Sequence, residues 1–413
     1  MYKWVLILTA LPAFAADDAR LAMQIRAQSD FDRVEASAFP DVREAMRCEQ
    51  SQAVMLPLAL PAEAPVLRFR KGWCELMGAT LGESRAAYRQ AAQDFAHAMA
   101  AYAGRPGEPM PAGLQVLSAI ARLKAGAEPH VLPDIRAGLE SALATQACPA
   151  GLMPPRFCQE LLSAARLWLG WMWLREGDLS RAGGYLHAFP ELGWSSWVSG
   201  RRALQAGGYV GAVKPLEETV EVWTRDAKYP KPGIVRLLGP KPDLGEALAE
   251  LGAARYLAGD PAGAIQTLDA AVKARPLDAR SLFIRGLARD VMGQSQAALE
   301  DYQMASRTAF AGPDTSLASA QGHFYRGVWH FRRQAWPRAE DAFASSLNSA
   351  PAAPLHEDAA AWRHLSAVAG GACESSAAEL GRSLGKVSPF FPRSEAEARL
   401  AACAPARKIS SRE

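Results

Sequence analysis

Along almost the whole chain apolar residues recur at three- and four-residue spacing, as in GLQVLSAIARLKAG (113–126) and DIRAGLESALATQA (134–147). That period places them on one face of a helix and predicts amphipathic α-helices. The helical stretches are separated by Pro- and Gly-rich breaks such as RPGEPMPAG (105–113). Each break ends a helix by removing a backbone donor or by permitting a turn.

The pattern also repeats at longer range. EALAELGAARYLAGDPAGAIQTLDAAVKARP starts at Glu246, and RSLFIRGLARDVMGQSQAALEDYQMASR follows from Arg280. Gly252 matches Gly286, Gly259 matches Gly293, Ala264 matches Ala298, Leu268 matches Tyr302 and Ala271 matches Ala305, always 34 residues apart. The same skeleton of glycine, glycine seven residues on and alanine five further occurs at Gly170, Gly177 and Ala182, and at Gly200, Gly207 and Ala212. Small residues let two antiparallel helices approach closely, and the second glycine supplies the left-handed turn between them. Pro276 stops the second helix.

In this skeleton the chain resembles the tetratricopeptide repeat family. The resemblance implies an all-α fold: a right-handed superhelix, or solenoid, of antiparallel helix pairs. A sixth unit matches at Gly327, Trp336, Ala339, Phe343 and Pro351, but Gln334 and Ala335 stand where the turn glycine belongs, so a distorted turn is expected. An earlier unit carries Trp73, Tyr88, Ala91, Phe95 and Ala98, with a lengthened turn expected around Gly82. After Pro351, AAAWRHLSAVAG and SEAEARLAACAP read as a degenerate closing pair, as terminal repeats facing water should.

The resulting organisation is an export signal over 1–16, an N-terminal helical region with one degenerate repeat over 17–160, a repeat array over 161–351, and a helical cap and tail over 352–413. Two insertions break the period. Four prolines and five basic residues between Arg225 and Asp243 predict a loop, either a tolerated surface insertion or a basic flap beside a binding groove. The segment Ala311–Ser316 reads as a longer connection.

Composition then narrows the function classes. The 413 residues are 49% hydrophobic, enough for a large core, and would allow two or three domains at roughly 150 residues each. The net charge of +3, from 46 basic and 43 acidic residues, is not the one-sided balance of a dedicated nucleic-acid binder. Residues Met1 to Ala16 show an early Lys3, an apolar run from Trp4 to Leu11 and the small-residue site Ala13-Phe14-Ala15, the plan of a secretory signal peptide. The run is shorter than the roughly 20 residues a bilayer needs. No cysteine stands beside the cleavage site to carry a lipid anchor, and no other stretch is apolar enough to span a membrane. A periplasmic or extracellular location follows as the expectation.

Six cysteines agree with an oxidising compartment. They fall into the local pairs Cys48 and Cys74, Cys148 and Cys158, and Cys373 and Cys403, so nearest-neighbour bridging is expected among the 15 possible connectivities. The alternative is six free buried thiols. A metal site is disfavoured because no pair has the two-to-four-residue spacing of zinc ligands.

Catalytic signatures do not emerge. The histidines are His97, His130, His187, His323, His330, His356 and His364, and none forms a helical metal motif; His323 and His330 share a helix side without a third ligand. There is no phosphate-binding glycine loop and no nucleophile elbow. Carboxylates such as Glu217, Glu218 and Asp290 read as solvated helix faces, and no cofactor is implied.

The family's first helices line a concave surface that holds a ligand. Carried onto this sequence, the resemblance selects Trp171, Arg175, Trp194, Trp197, Arg201, Arg280, Phe283, Asp290, Phe324, Phe331 and Arg332, with Trp168 and Trp173 assigned to the core. Rings and guanidinium groups on one face suit an extended peptide or an anionic terminus. The expected function is a non-enzymatic scaffold in the cell envelope that holds a protein or peptide. A cell-wall polymer hydrolase and a carrier of an amphipathic small molecule are the alternatives.

Overall fold

The computed structural model describes residues 19–34, 42–61, 63–82, 84–103, 110–148, 153, 155–229, 231, 233–311, 315–350 and 355–403. The signal-like segment 1–16, Pro351 and the tail beyond 403 lie outside the described residues. Among those described there are helices and no strands. None of the helices is long and apolar enough to cross a membrane.

Two compact units share the chain. Unit 1 holds α1 (19–34), α2 (Val42–Met55), α3 (Ala64–Gly82), α4 (Arg85–Ala103), α5 (Ala112–Lys124), α6 (Leu132–Thr145), α7 (Pro155–Arg175) and α8 (Leu179–Leu186). The helices α9 (Trp194–Gln205) and α10 (Tyr209–Lys228) each cross the division, at Val198/Ser199 and Thr224/Arg225. Unit 1 regains residues up to Pro242, including α11 (Ile234–Leu238). Unit 2 continues with α12 (Leu244–Leu257), α13 (Pro261–Ala274), α14 (Ala279–Val291), α15 (Ser295–Phe310), α16 (Thr315–Arg332), α17 (Trp336–Ser349), α18 (His356–Ala369), α19 (Cys373–Ser383) and α20 (Arg393–Cys403). Within each unit helices pack chiefly on their neighbours in sequence, the one-dimensional arrangement of a repeat stack.

The repeat glycines are where the hairpins close. A Cβ added to Gly170 or Gly200 would lie 2.5 Å from Leu186 or 2.6 Å from Leu216, and one added to Gly252, Gly286 or Gly327 would meet Leu268, Tyr302 or Phe343 at 2.5–2.6 Å. In all five the partner stands sixteen residues downstream. Gly177, Gly207, Gly259 and Gly293 turn the chain at φ of +83°, +75°, +86° and +73°. Asp178, Asp243, Asp260 and Asp278 accept backbone N–H bonds from the first turns of α8, α12, α13 and α14. They satisfy donors that a helix start leaves unpaired.

Three expectations are corrected. The sixth turn is not distorted: Gln334 takes the glycine conformation at φ +59°, and Ala335 N donates to His330 O at 3.0 Å as Gln294 N does to Arg289 O at 2.8 Å. The early unit has no long turn, since α3 runs to Gly82 and α4 starts at Arg85. Its extra residues extend both helices, and Gly72 meets Phe95 in place of the usual sixteen-residue partner. At the smaller insertion α15 ends at Phe310, Ala311 is a turn and α16 starts at Thr315, with 312–314 outside the described residues. Finally, Arg225–Asp243 is not all loop. Its prolines flank the run Ile234–Leu238 instead of interrupting it, so α11 forms. Trp168 Nε1 donates to Leu238 O at 2.8 Å and Lys124 Nζ to Leu237 O at 3.1 Å, while Arg236 pairs with Asp226. The insertion is seated on α7.

The cysteines pair as Cys48–Cys74, Cys148–Cys158 and Cys373–Cys403, tying α2 to α3, the end of the α6 segment to α7, and α19 to α20. Closing such loops stabilises by about 2–4 kcal/mol each, mainly by restricting the unfolded chain.

One buried ion cluster makes unit 1 sensitive to pH. Lys71 Nζ lies 2.6 Å from Asp94 and also contacts Glu75, and Arg68 lies 3.5 Å from Asp94. Burial pushes the Glu75 carboxyl up from 4.5 to about 8; the hydrogen bond from Lys71 opposes this and the Asp94 charge adds to it. The folded chain therefore holds this proton more tightly than the unfolded chain. The stability it contributes is present below 4.5 and is lost as pH rises through about 8. Thermal unfolding followed across that interval should show a falling midpoint for the wild type and a flatter profile for Glu75→Gln, with the variant equal or more stable at the alkaline end.

Candidate partner-binding surface

The residues expected on a ligand face divide by burial. Trp194 and Trp197 are buried against each other, with ring centroids 5.6 Å apart. Phe283 packs on Tyr325 at 4.9 Å and Phe324 at 5.7 Å, and Phe324 on Phe343 at 5.8 Å. Phe331 sits between Trp336 and Trp362, both at 4.9 Å. Trp197, Phe283 and Phe324 each stand three residues before a repeat glycine. From that flank Phe283 meets Phe324 and Tyr325 of the next hairpin, and burial gives all three rings to packing.

What remains at the surface is more polar. In unit 1, Trp171 is half-buried, edge-on to the buried Trp168 at 5.3 Å, and the exposed Arg175 lies 5.7 Å from its ring. Trp173 is half-buried between Arg136 and Arg181, at 4.2 and 4.4 Å from its ring. In unit 2, Arg280 is exposed, whereas Arg201 is ion-paired to Glu250 at 3.2 Å and Glu246 at 4.0 Å.

Arg332 is the centre of a network. Its guanidinium lies 2.9 Å from Asp290 and 2.8 Å from Glu395 of α20, and Tyr302 donates its hydroxyl to Asp290 at 2.7 Å. Tyr256, four residues past Gly252 as Asp290 is past Gly286, stacks on Phe390 at 6.1 Å and 12°. Burial raises the Asp290 carboxyl, against the opposing pull of Arg332 and of the Tyr302 hydrogen bond. Burial also works against the Arg332 charge, yet Tyr302, Asp290 and Glu395 together raise its pKa, so the guanidinium stays charged. The faces of α12, α14 and α16 thus carry Tyr256, Asp290 and Arg332 in succession, and the chain's own segment around Phe390 and Glu395 lies on them.

Sequence reasoning found Asp290 and Arg332 but missed Tyr256, Phe390 and Glu395. Tyr256 carried a usable signal, the same offset from its glycine as Asp290. Phe390 and Glu395 carried none, because the closing helices have lost the register. His323 and His330 lie against Phe310 and Trp329, at 5.1 and 4.8 Å. Among the described residues no three His, Cys, Asp or Glu side chains group as metal ligands would.

No family model matches the chain, and no curated protein does. Several solved structures are similar. YrrB, described as a TPR protein with an unusual peptide-binding site, has 16% identity over 47% of this chain and 90% of its own, with a TM-score of 0.31. The C-terminal part of a TPR repeat-containing protein from Cytophaga hutchinsonii has 14% identity over 66% of this chain and 94% of its own, at 0.35. The APC/C hetero-tetramer Cut9–Hcn1 has 12% identity, covering 93% of this chain and 96% of that chain, at 0.41. The chain's own packing carries the assignment instead: five repeat glycines, each seated on the side chain sixteen residues on and each followed seven residues later by a left-handed turn residue. By that packing the fold is an all-α solenoid of antiparallel helix pairs, like that of tetratricopeptide repeats.

Proposed function

We propose that the chain is a non-enzymatic scaffold of the cell envelope that holds a protein or peptide partner on the outward faces of its first helices. The observation that supports this reading is the segment around Phe390 and Glu395, which lies on Tyr256 and Arg332 by ring stacking and a charge-assisted hydrogen bond. A surface that holds one stretch of polypeptide by these contacts has the chemistry to hold another. Arg280 in unit 2, and Trp171 with Arg175 in unit 1, are the exposed members of the expected set and the contact residues proposed here. Three disulfides support an oxidising compartment and hence export through the N-terminal segment.

The test is a photo-crosslinking amino acid placed singly at Trp171, at Arg280 and at the exposed second-helix residue Lys273, in the full-length chain exposed to envelope extract. A discrete adduct from 171 or 280 and none from 273 is the expected result. Adducts that are absent from both, or equal at 273, would sink the reading.

A further inference from the structure

In unit 2 the arginines beside the repeat glycines of α12 and α14 are neutralised by carboxylates at fixed places in the repeat. Arg255 of α12 reaches Glu217 at 2.6 Å. Arg285 of α14 reaches Asp269 at 2.7 Å and Asp301 at 2.6 and 3.0 Å, and Arg289 reaches Asp301 at 2.9 Å. Glu217 and Asp269 each directly follow the leucine that fills a repeat glycine, and Asp301 directly precedes Tyr302, which fills the next.

One repeat on, the arginine is kept and the acids are not. Arg326 directly precedes Gly327 as Arg285 precedes Gly286. Gln303 follows Tyr302 where the counterpart of Asp269 belongs, and Ala342 precedes Phe343 where the counterpart of Asp301 belongs. Arg326 is exposed and its guanidinium lies 4.7 Å from the Phe310 ring; Arg333 lies 4.7 Å from the Trp329 ring. Neither of them, nor Arg307, is ion-paired to any described carboxylate. Gln303, Ser306, Arg307, Phe310, Arg326 and Trp329 line a cavity of about 190 Å3. Phe310 reaches it because α15 runs past the length of α13, and the Ser306 hydroxyl is already donated to Gly322 O at 2.9 Å. The two histidines beside it, His323 and His330, are held below their ordinary pKa by burial and by the surrounding arginines, so they add little positive charge at neutral pH.

We propose that this cavity binds an aspartate or glutamate side chain of a partner protein, which supplies in trans the carboxylate that Asp269 and Asp301 supply in cis one repeat earlier. The guanidinium groups of Arg307 and Arg326 are the donors, and the Phe310 and Trp329 rings give contact area at low entropy cost. The inference rests on the partner-holding reading of the chain but uses side chains other than Arg280, Tyr256 and Arg332.

Binding is measured by fluorescence anisotropy on the full-length chain, with a labelled, end-blocked Glu-Glu-Phe-Glu-Glu peptide and its Gln-Gln-Phe-Gln-Gln isostere as probes. The acidic peptide should bind at least about tenfold more tightly than the isostere, and Arg326→Gln should lose about that factor. Gln303→Asp, which restores the missing acid, should abolish the preference while its unfolding midpoint stays at or above that of the wild type. Arg280→Gln should bind as the wild type does, which separates this site from the first-helix face. The proposal is overturned if both peptides bind alike, if Gln303→Asp binds as the wild type does, or if Arg280→Gln loses as much as Arg326→Gln. It is also overturned if phosphatidylglycerol vesicles or duplex DNA compete with the peptide by binding at Arg326 more tightly than it does.

Discussion

Gly286→Ala is expected to lower the stability of unit 2 by about 1–3 kcal/mol, although glycine to alanine inside a helix ordinarily gains about 0.5–1 kcal/mol. The added methyl would lie 2.6 Å from Cε1 and 2.9 Å from Cδ1 of Tyr302. That ring has nowhere to move: it is fully buried, and its hydroxyl is fixed on Asp290 at 2.7 Å. Overpacking therefore outweighs the gain in helix propensity. Gly138 in α6 is the control, because nothing lies within 4 Å of its added Cβ, and Gly138→Ala should stabilise by about 0.5–1 kcal/mol. Denaturant unfolding of the two variants reads the difference directly. Tyr302→Ala alone should cost about 3–5 kcal/mol, yet the double variant with Gly286→Ala should cost less than the two losses added, because the methyl then enters the vacated space. Additive losses would mean that the glycine is not there for Tyr302.

That contact also marks how far the sequence could be read. The glycines were legible because close helix approach and a left-handed turn each restrict one position to one residue type, and the restriction recurs at a fixed period. The cysteine pairs were legible because each cysteine has one near neighbour in sequence and long cysteine-free stretches separate the pairs. The ligand face was only partly legible. An amphipathic helix in a stack has two buried flanks and a narrow outward strip, and a projection from one sequence does not separate a flank ring such as Trp197 or Phe283 from a strip residue such as Arg280. Ion pairing was hidden for a different reason: Arg201 and Arg332 sit on the strip, but Glu250 and Glu395 reach them from other helices. The helix α11 was hidden by its own flanking prolines, which disfavour helix at their positions but not over Ile234–Leu238 between them.

Asp301→Ala should be among the most damaging substitutions in unit 2, at about 3–5 kcal/mol, because it strips the shared acid from two partly buried arginines. Asp301 is 3% exposed; its Oδ1 accepts from Arg285 at 2.6 Å, and its Oδ2 from Arg285 at 3.0 Å and Arg289 at 2.9 Å. Burial presses on the Arg285 charge, and Asp301 ahead of Asp269 holds its pKa up all the same. Asp269 would survive the substitution at 2.7 Å from Arg285 and 3.6 Å from Arg289, but it is half exposed and water screens much of what it offers. Asp301→Asn should fare little better, since its amide would turn hydrogens toward two donors that need acceptors. The loss should nevertheless belong to the uncompensated arginines and not to any net gain from the cluster. Replacing all three together, as Arg285→Met, Arg289→Leu and Asp301→Leu, should bring stability back to near the wild type. The next repeat already points that way: it folds with Ala342 at the position of Asp301 and His330 at the position of Arg289, and only Arg326 is left of the set. Urea unfolding of the single and triple variants decides the matter, and a triple variant as unstable as Asp301→Ala would show that the cluster itself stabilises the fold.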